Sequence, residues 1–141
     1  MATPAGHNGR VGRDDRSEAE LQVFADLLQQ RIMQAQAQRG TLTRAITDMR
    51  TARSLTFADD EHDPEGSTVS LDQARDQALL VRTETTLAEL VAALDRLLGG
   101  SYGVCERCGR DIATDRLAAR PEARRCVACS VTGSRRPGSR R

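Results

Sequence analysis

Four cysteines are the residues with most chemistry to offer, and they come as two pairs. Cys105-Glu-Arg-Cys108 and Cys126-Val-Ala-Cys129 are separated by 17 residues, and no cysteine is left over. Two residues between cysteines let two thiolates on one tight turn point at a common centre. A second such pair facing the first completes a tetrahedron of sulfurs, the arrangement Zn²⁺ accepts in a closed structural site. Gly103 and Gly109 flank the first turn, where a positive φ is often needed. The sequence therefore predicts one structural zinc held by Cys105, Cys108, Cys126 and Cys129. Catalytic zinc needs an open coordination position, which four thiolates do not leave. The alternatives are two structural disulfides or a redox-active pair. The first polar residues show no secretory signature, and no βαβ pattern surrounds the first pair.

The elements that must position these cysteines are helices. Of 141 residues only Phe24, Phe57 and Tyr102 are aromatic, so a conventional core would be thin and a metal staple fits the need. Zinc binding in finger peptides contributes on the order of 10–16 kcal/mol, enough to fold a segment that could not fold alone. All 21 basic residues are arginine, and the net charge is +1. Residues 1–17 have no apolar period and are expected to form a disordered tail. Ser17 is placed as an N-cap, with Glu18 and Glu20 complementing the helix dipole. Leu21, Phe24, Leu28, Ile32, Ala35, Leu42, Ile46 and Met49 then recur at helical spacing. Several lie seven apart, the narrow seam of a coiled coil, which predicts a helix over about 18–55. Gly40 interrupts it without breaking the phase.

Asp59, Asp60, Glu61, Asp63 and Glu65 crowd the next turn, where Pro64 and Gly66 stop the helix. A second helix is predicted over about 69–98, capped by Ser67 or Ser70. Its expected apolar face is Leu71, Ala74, Ala78, Val81, Leu87, Val91, Leu94 and Leu98, and Gly99-Gly100 ends it. Two long helices joined by a short turn bury their seams as an antiparallel hairpin. The fold class is thus mostly α: residues 18–98 form a coiled-coil hairpin with an acidic tip at 57–66. Residues 99–130 form the C4 finger, and 131–141 a basic flexible tail. The intramolecular pairing predicts a monomer. No stretch approaches a membrane-spanning length, and the expectation is a cytoplasmic protein.

The run Gly100-Ser-Tyr-Gly-Val-Cys105-Glu-Arg-Cys108-Gly, then Arg116-Leu-Ala-Ala-Arg120-Pro121 and Cys126-Val-Ala-Cys129, resembles the DksA/TraR C4-type zinc finger family. The Asp63-Pro64 pair before the second helix is similar to that family's tip. The resemblance implies a non-enzymatic transcription regulator that binds RNA polymerase through its secondary channel. It further implies that tip carboxylates, here Asp63 and Glu65, act near the catalytic centre. Where the family's best-studied tip reads Asp-Pro-x-Asp-x-Ala, this chain has Asp63-Pro64-Glu65-Gly66-Ser67-Thr68. Arg120 matches a basic position used for ppGpp in some members, but Glu89 and Ser130 stand where two lysines accompany it. No ppGpp binding is expected. The residues alone leave other readings open. The tip can be a solvated turn, and the arginines of the finger and tail ordinary surface charge. A nucleic-acid-binding C4 protein and a thiol redox sensor are the alternatives, with direct nucleic-acid binding expected to be weak or absent. Paired carboxylates on a thin hairpin offer no pocket for enzymatic chemistry.

Overall fold

A computed structural model of the chain describes residues 16–56 and 66–132. Four helices follow in order: α1 (Glu18–Thr56), α2 (Gly66–Leu98), α3 (Thr114–Ala119) and α4 (Val127–Thr132). α1 and α2 pack along each other as the expected antiparallel hairpin. At 1.5 Å per residue they are about 58 and 50 Å long. The acidic turn, with Asp63 and Glu65, lies outside the described residues except for Gly66, as do most residues of the expected terminal tails.

The ends of the long helices show why they start and stop. Glu20 N donates to Ser17 Oγ at 3.2 Å, and Ser17 N donates to Glu20 Oε2 at 3.1 Å. This is a reciprocal capping box, so Glu20 does more than complement the dipole. At the other end, Ser101 N donates to Arg96 O (2.9 Å) and Gly100 N to Leu97 O (3.2 Å). That pair of bonds is a Schellman motif, which ends α2 at the predicted diglycine. α2 begins earlier than predicted, at Gly66, so Ser67 and Ser70 lie inside the helix and neither is its cap.

In α1 the seam follows the sequence pattern: Phe24, Leu28, Ala35, Leu42 and Ile46 are buried. In α2 the phase differs. Leu71 and Val81, expected inside, are 71% and 63% exposed, and Leu98 is 78% exposed. The buried line passes through the expected Leu87 but also through Thr83, Leu90 and Ala93, with the expected Leu94 and, beside it, Leu80 and Leu97 partly covered. Gln73 and Asp76 continue it toward the far end, where Arg53 NH1 donates to Gln73 Oε1 at 2.7 Å. The polar members of this seam conceal it from a count of apolar residues. Thr83 tolerates burial because its hydroxyl donates to Leu79 O at 2.8 Å.

Gly40 lies inside α1, and a Cβ built there meets no atom within 4 Å. Glycine in a helix interior costs about 0.5–1 kcal/mol relative to alanine. Gly40→Ala is therefore expected to stabilise the hairpin by about that amount, raising Tm by a few degrees in a thermal melt. An unchanged or lower Tm would show that this position needs glycine.

Candidate metal centre

The chain leaves α2 through Gly99 and Gly100 and turns at once into the first cysteine pair. Val104 and Asp111 form an antiparallel bridge, Ile112 N donates to Gly103 O (2.7 Å), and Cys105 N donates to Arg110 O (2.8 Å). Gly109 N returns to Cys105 O at 2.9 Å, closing the turn. Gly103 and Gly109 have φ values of 80° and 71°, as the sequence anticipates, so both take conformations that side chains disfavour. The second pair is delivered by α4: Cys126 precedes it and Cys129 lies within it. Arg116 of α3 braces that pair, with Nε donating to Arg125 O (2.9 Å) and NH2 to Ser130 Oγ (2.8 Å).

The four Sγ atoms all lie within 4.8 Å of one another. Thiolates about 2.3 Å from a zinc ion at tetrahedral angles stand about 3.8 Å apart. Cys108 Sγ and Cys126 Sγ are 3.8 Å apart. Cys105 and Cys129 are buried, whereas Cys108 and Cys126 lie nearer the surface. Burial pushes the Cys105 thiol up, but the backbone N–H groups of Cys126, Cys108 and Arg107 outweigh it and hold the thiol at about 6. Cys108 is lowered by the backbone N–H and the guanidinium of Arg110, and Arg110 is raised in return. Cys129 is pushed up to about 12 by hydrogen bonding with the Cys126 sulfur, then by burial and the other thiols. Backbone N–H groups and Arg110 thus favour the thiolates of Cys105 and Cys108, while the neighbouring sulfurs and burial oppose that of Cys129, a repulsion that a bound cation would relieve. The donor set fits zinc.

Behind the sulfurs the finger has its own small core. Ile112 and Leu117 are fully buried, Ala123 is buried, and Pro121 is among the most enclosed side chains. This core is continuous with that of the hairpin through Phe24, Leu28, Leu90 and Ala93. Tyr102 is the joint. Its ring lies 5.6 Å from that of Phe24, and its hydroxyl donates to Pro121 O at 2.8 Å. Burial pushes the Tyr102 phenol up to about 12, although Arg16 and Arg96 pull the other way. The unfolded-state value is about 10. The protonated phenol therefore favours the folded state below pH 10, and that stability is lost as pH rises through about 12. Phenolate absorbance followed against pH is expected to show Tyr102 titrating near 12 in the native protein and near 10 in denaturant. Coincident curves would contradict a buried, bonded hydroxyl.

Most finger arginines are tied to the finger itself. Arg124 pairs with Glu106 (3.0 Å), Arg120 with Glu122 (3.2 Å), and Arg107 donates to Thr132 Oγ1 (2.9 Å). Glu89, Arg120, Glu122, Arg125 and Ser130 line an open cleft of about 240 Å³ between α2 and the finger. The joint formed by Phe24 and Tyr102 was not apparent in the sequence, because helical spacing alone does not say which end of a seam continues into the finger. The bracing role of Arg116 was hidden among equally charged neighbours.

Fold and site together define a class: a long helical hairpin mounted on a four-cysteine zinc finger. Residues 100–130 match the prokaryotic dksA/traR C4-type zinc finger family, so the chain carries that finger and its centre is a site for one structural zinc. An uncharacterized protein of Aquifex aeolicus (strain VF5) is 43% identical over 54 residues, covering 38% of this chain and 37% of that protein. General stress protein 16O of Bacillus subtilis (strain 168) is 37% identical over 68 residues, 48% of this chain and 42% of that protein. The chain thus spans about two fifths of the length of these curated relatives. The structure of transcription factor DksA2 from Pseudomonas aeruginosa superposes with a TM-score of 0.71 at 23% identity, covering 87% of this chain and 90% of that one. The overall fold is the DksA fold.

Proposed function

We propose that this protein is a non-enzymatic transcription regulator that binds RNA polymerase and modulates initiation with the acidic turn of its hairpin. The observation carrying this reading is the architecture: a rod two helices wide, seated on a zinc-stapled base, with the structural likeness to transcription factor DksA2. A rod of this width can enter a channel that excludes a globule. Five carboxylates fall in the sequence between α1 and α2, at residues 59–65. Carboxylates delivered there could perturb a Mg²⁺ site or neighbouring basic groups. Asp63 and Glu65 are the residues assigned this role.

Direct nucleic-acid binding is a poorer reading, because the finger's Arg107, Arg116, Arg120 and Arg124 are engaged by its own acceptors. The cleft beside α2 mixes Glu89, Glu106 and Glu122 with its arginines, which disfavours a polyphosphate such as ppGpp. No helix among the described residues is long and apolar enough to cross a membrane. The test is co-elution of the zinc-loaded protein with core RNA polymerase at moderate salt. A stable complex is expected at micromolar concentration. Absence of a complex there, with tight salt-dependent binding to DNA or RNA instead, would replace this reading with the nucleic-acid one.

A further inference from the structure

Polar contacts reach the finger from both helices of the hairpin. From α2, Arg96 NH2 donates to Glu122 O at 3.3 Å. From the α1 side, the residue before the capping box reaches across to the finger: Arg16 NH2 donates to Ile112 O at 2.6 Å, spanning 96 positions of sequence. Its landing place is shaped for it. Gly103, with φ of 80°, has no side chain, and a Cβ built there would fall on the Arg16 guanidinium. Gly103 and Ile112 are themselves hydrogen-bonded partners, forming the rung immediately behind the first cysteine turn. Arg16 thus fills a space that any other residue at position 103 would occupy, and it holds the backbone that carries the metal turn.

We propose that Arg16 is a latch fixing the direction of the hairpin on the zinc finger. Its Nε is buried with no hydrogen-bond partner among the described residues, which offsets part of what the Ile112 bond contributes. The contact therefore supplies geometry more than stability. Direction matters because the hairpin is a lever: a tilt of about 5° at its base moves the far end of a helix about 58 Å long by roughly 5 Å. Whatever the far end contacts, its position is set at the base. The forked guanidinium reaches Ile112 O with NH2 while NH1 occupies the space over Gly103, which the single point charge of a lysine cannot do.

Residual dipolar couplings of the zinc-loaded full chain test the proposal. In the wild type, one alignment tensor is expected to fit the N–H vectors of residues 21–52 and 103–131. In Arg16→Ala, with the chemical shifts of residues 105–112 retained, the finger's tensor is expected to fall to about 0.85 of the hairpin's or less, the square root of the ratio of flexible to rigid squared order parameters. A single tensor of equal magnitude in the variant overturns the proposal. If Arg16→Ala disturbs the finger, Arg16→Leu, which keeps bulk over Gly103 but deletes the bond, decides on the same criterion. If both variants lose zinc, Arg16 is a folding residue and the latch is wrong.

Discussion

Stripping the metal with a chelator is expected to unfold the finger while leaving most of the helix signal in place. Structural zinc contributes on the order of 10–16 kcal/mol in finger peptides, far more than Ile112, Leu117 and Ala123 can replace by burial. α1 and α2 contain 39 and 33 residues, whereas α3 and α4 contain six each. Far-ultraviolet circular dichroism should therefore fall only slightly. Tyr102 is the sole tyrosine, and there is no tryptophan, so intrinsic fluorescence reports on the joint alone. Its ring is buried against Phe24 and its hydroxyl is held by Pro121 O, and both contacts go when the finger opens. A large fluorescence change with a small dichroism change is the expected signature, reversed by adding zinc. Loss of both signals together would mean that the hairpin cannot stand without the finger. Loss of neither would mean that the four sulfurs do not staple the fold.

Phe24→Ala should be the most damaging single substitution in the hairpin. Phe24 is 5% exposed and packs on both the α2 seam and Tyr102, so truncation leaves a cavity at the junction of two cores. Such truncations cost about 3–5 kcal/mol, which for a chain of this size lowers Tm by roughly 10 °C or more. The same change at Val23, 64% exposed on the adjacent position, should move Tm by no more than a degree or two. Equal effects at the two positions would contradict the seam described for α1.

The cysteine turns, the α1 seam and the diglycine stop were legible in the sequence because each is local: a spacing, a period, a backbone need. The seam of α2 was not. Its true line includes Gln73, Asp76 and Thr83, while Leu71 and Val81 face outward, so counting apolar residues selects the wrong face in the first half of the helix. Thr83 escapes the penalty of burial by bonding its own helix, an option that hydropathy does not register. Ser17 and Glu20 stand three apart in the pattern of a capping box, and that signal could have been read further than it was. The reach of Arg16 to Ile112 had no signal at all, since contacts over 96 positions depend on how finger and hairpin meet.

In the function proposed above, the acidic turn acts on a polymerase to which the rest of the molecule binds. The most direct measurement is initiation from a sensitive promoter with saturating zinc-loaded protein, wild type against Asp63→Ala/Glu65→Ala, with polymerase occupancy measured on the same samples. Equal occupancy with the transcriptional effect confined to the wild type is the predicted result. Equal occupancy with an undiminished effect in the double variant would contradict the claim and assign the activity to the body of the hairpin or the finger.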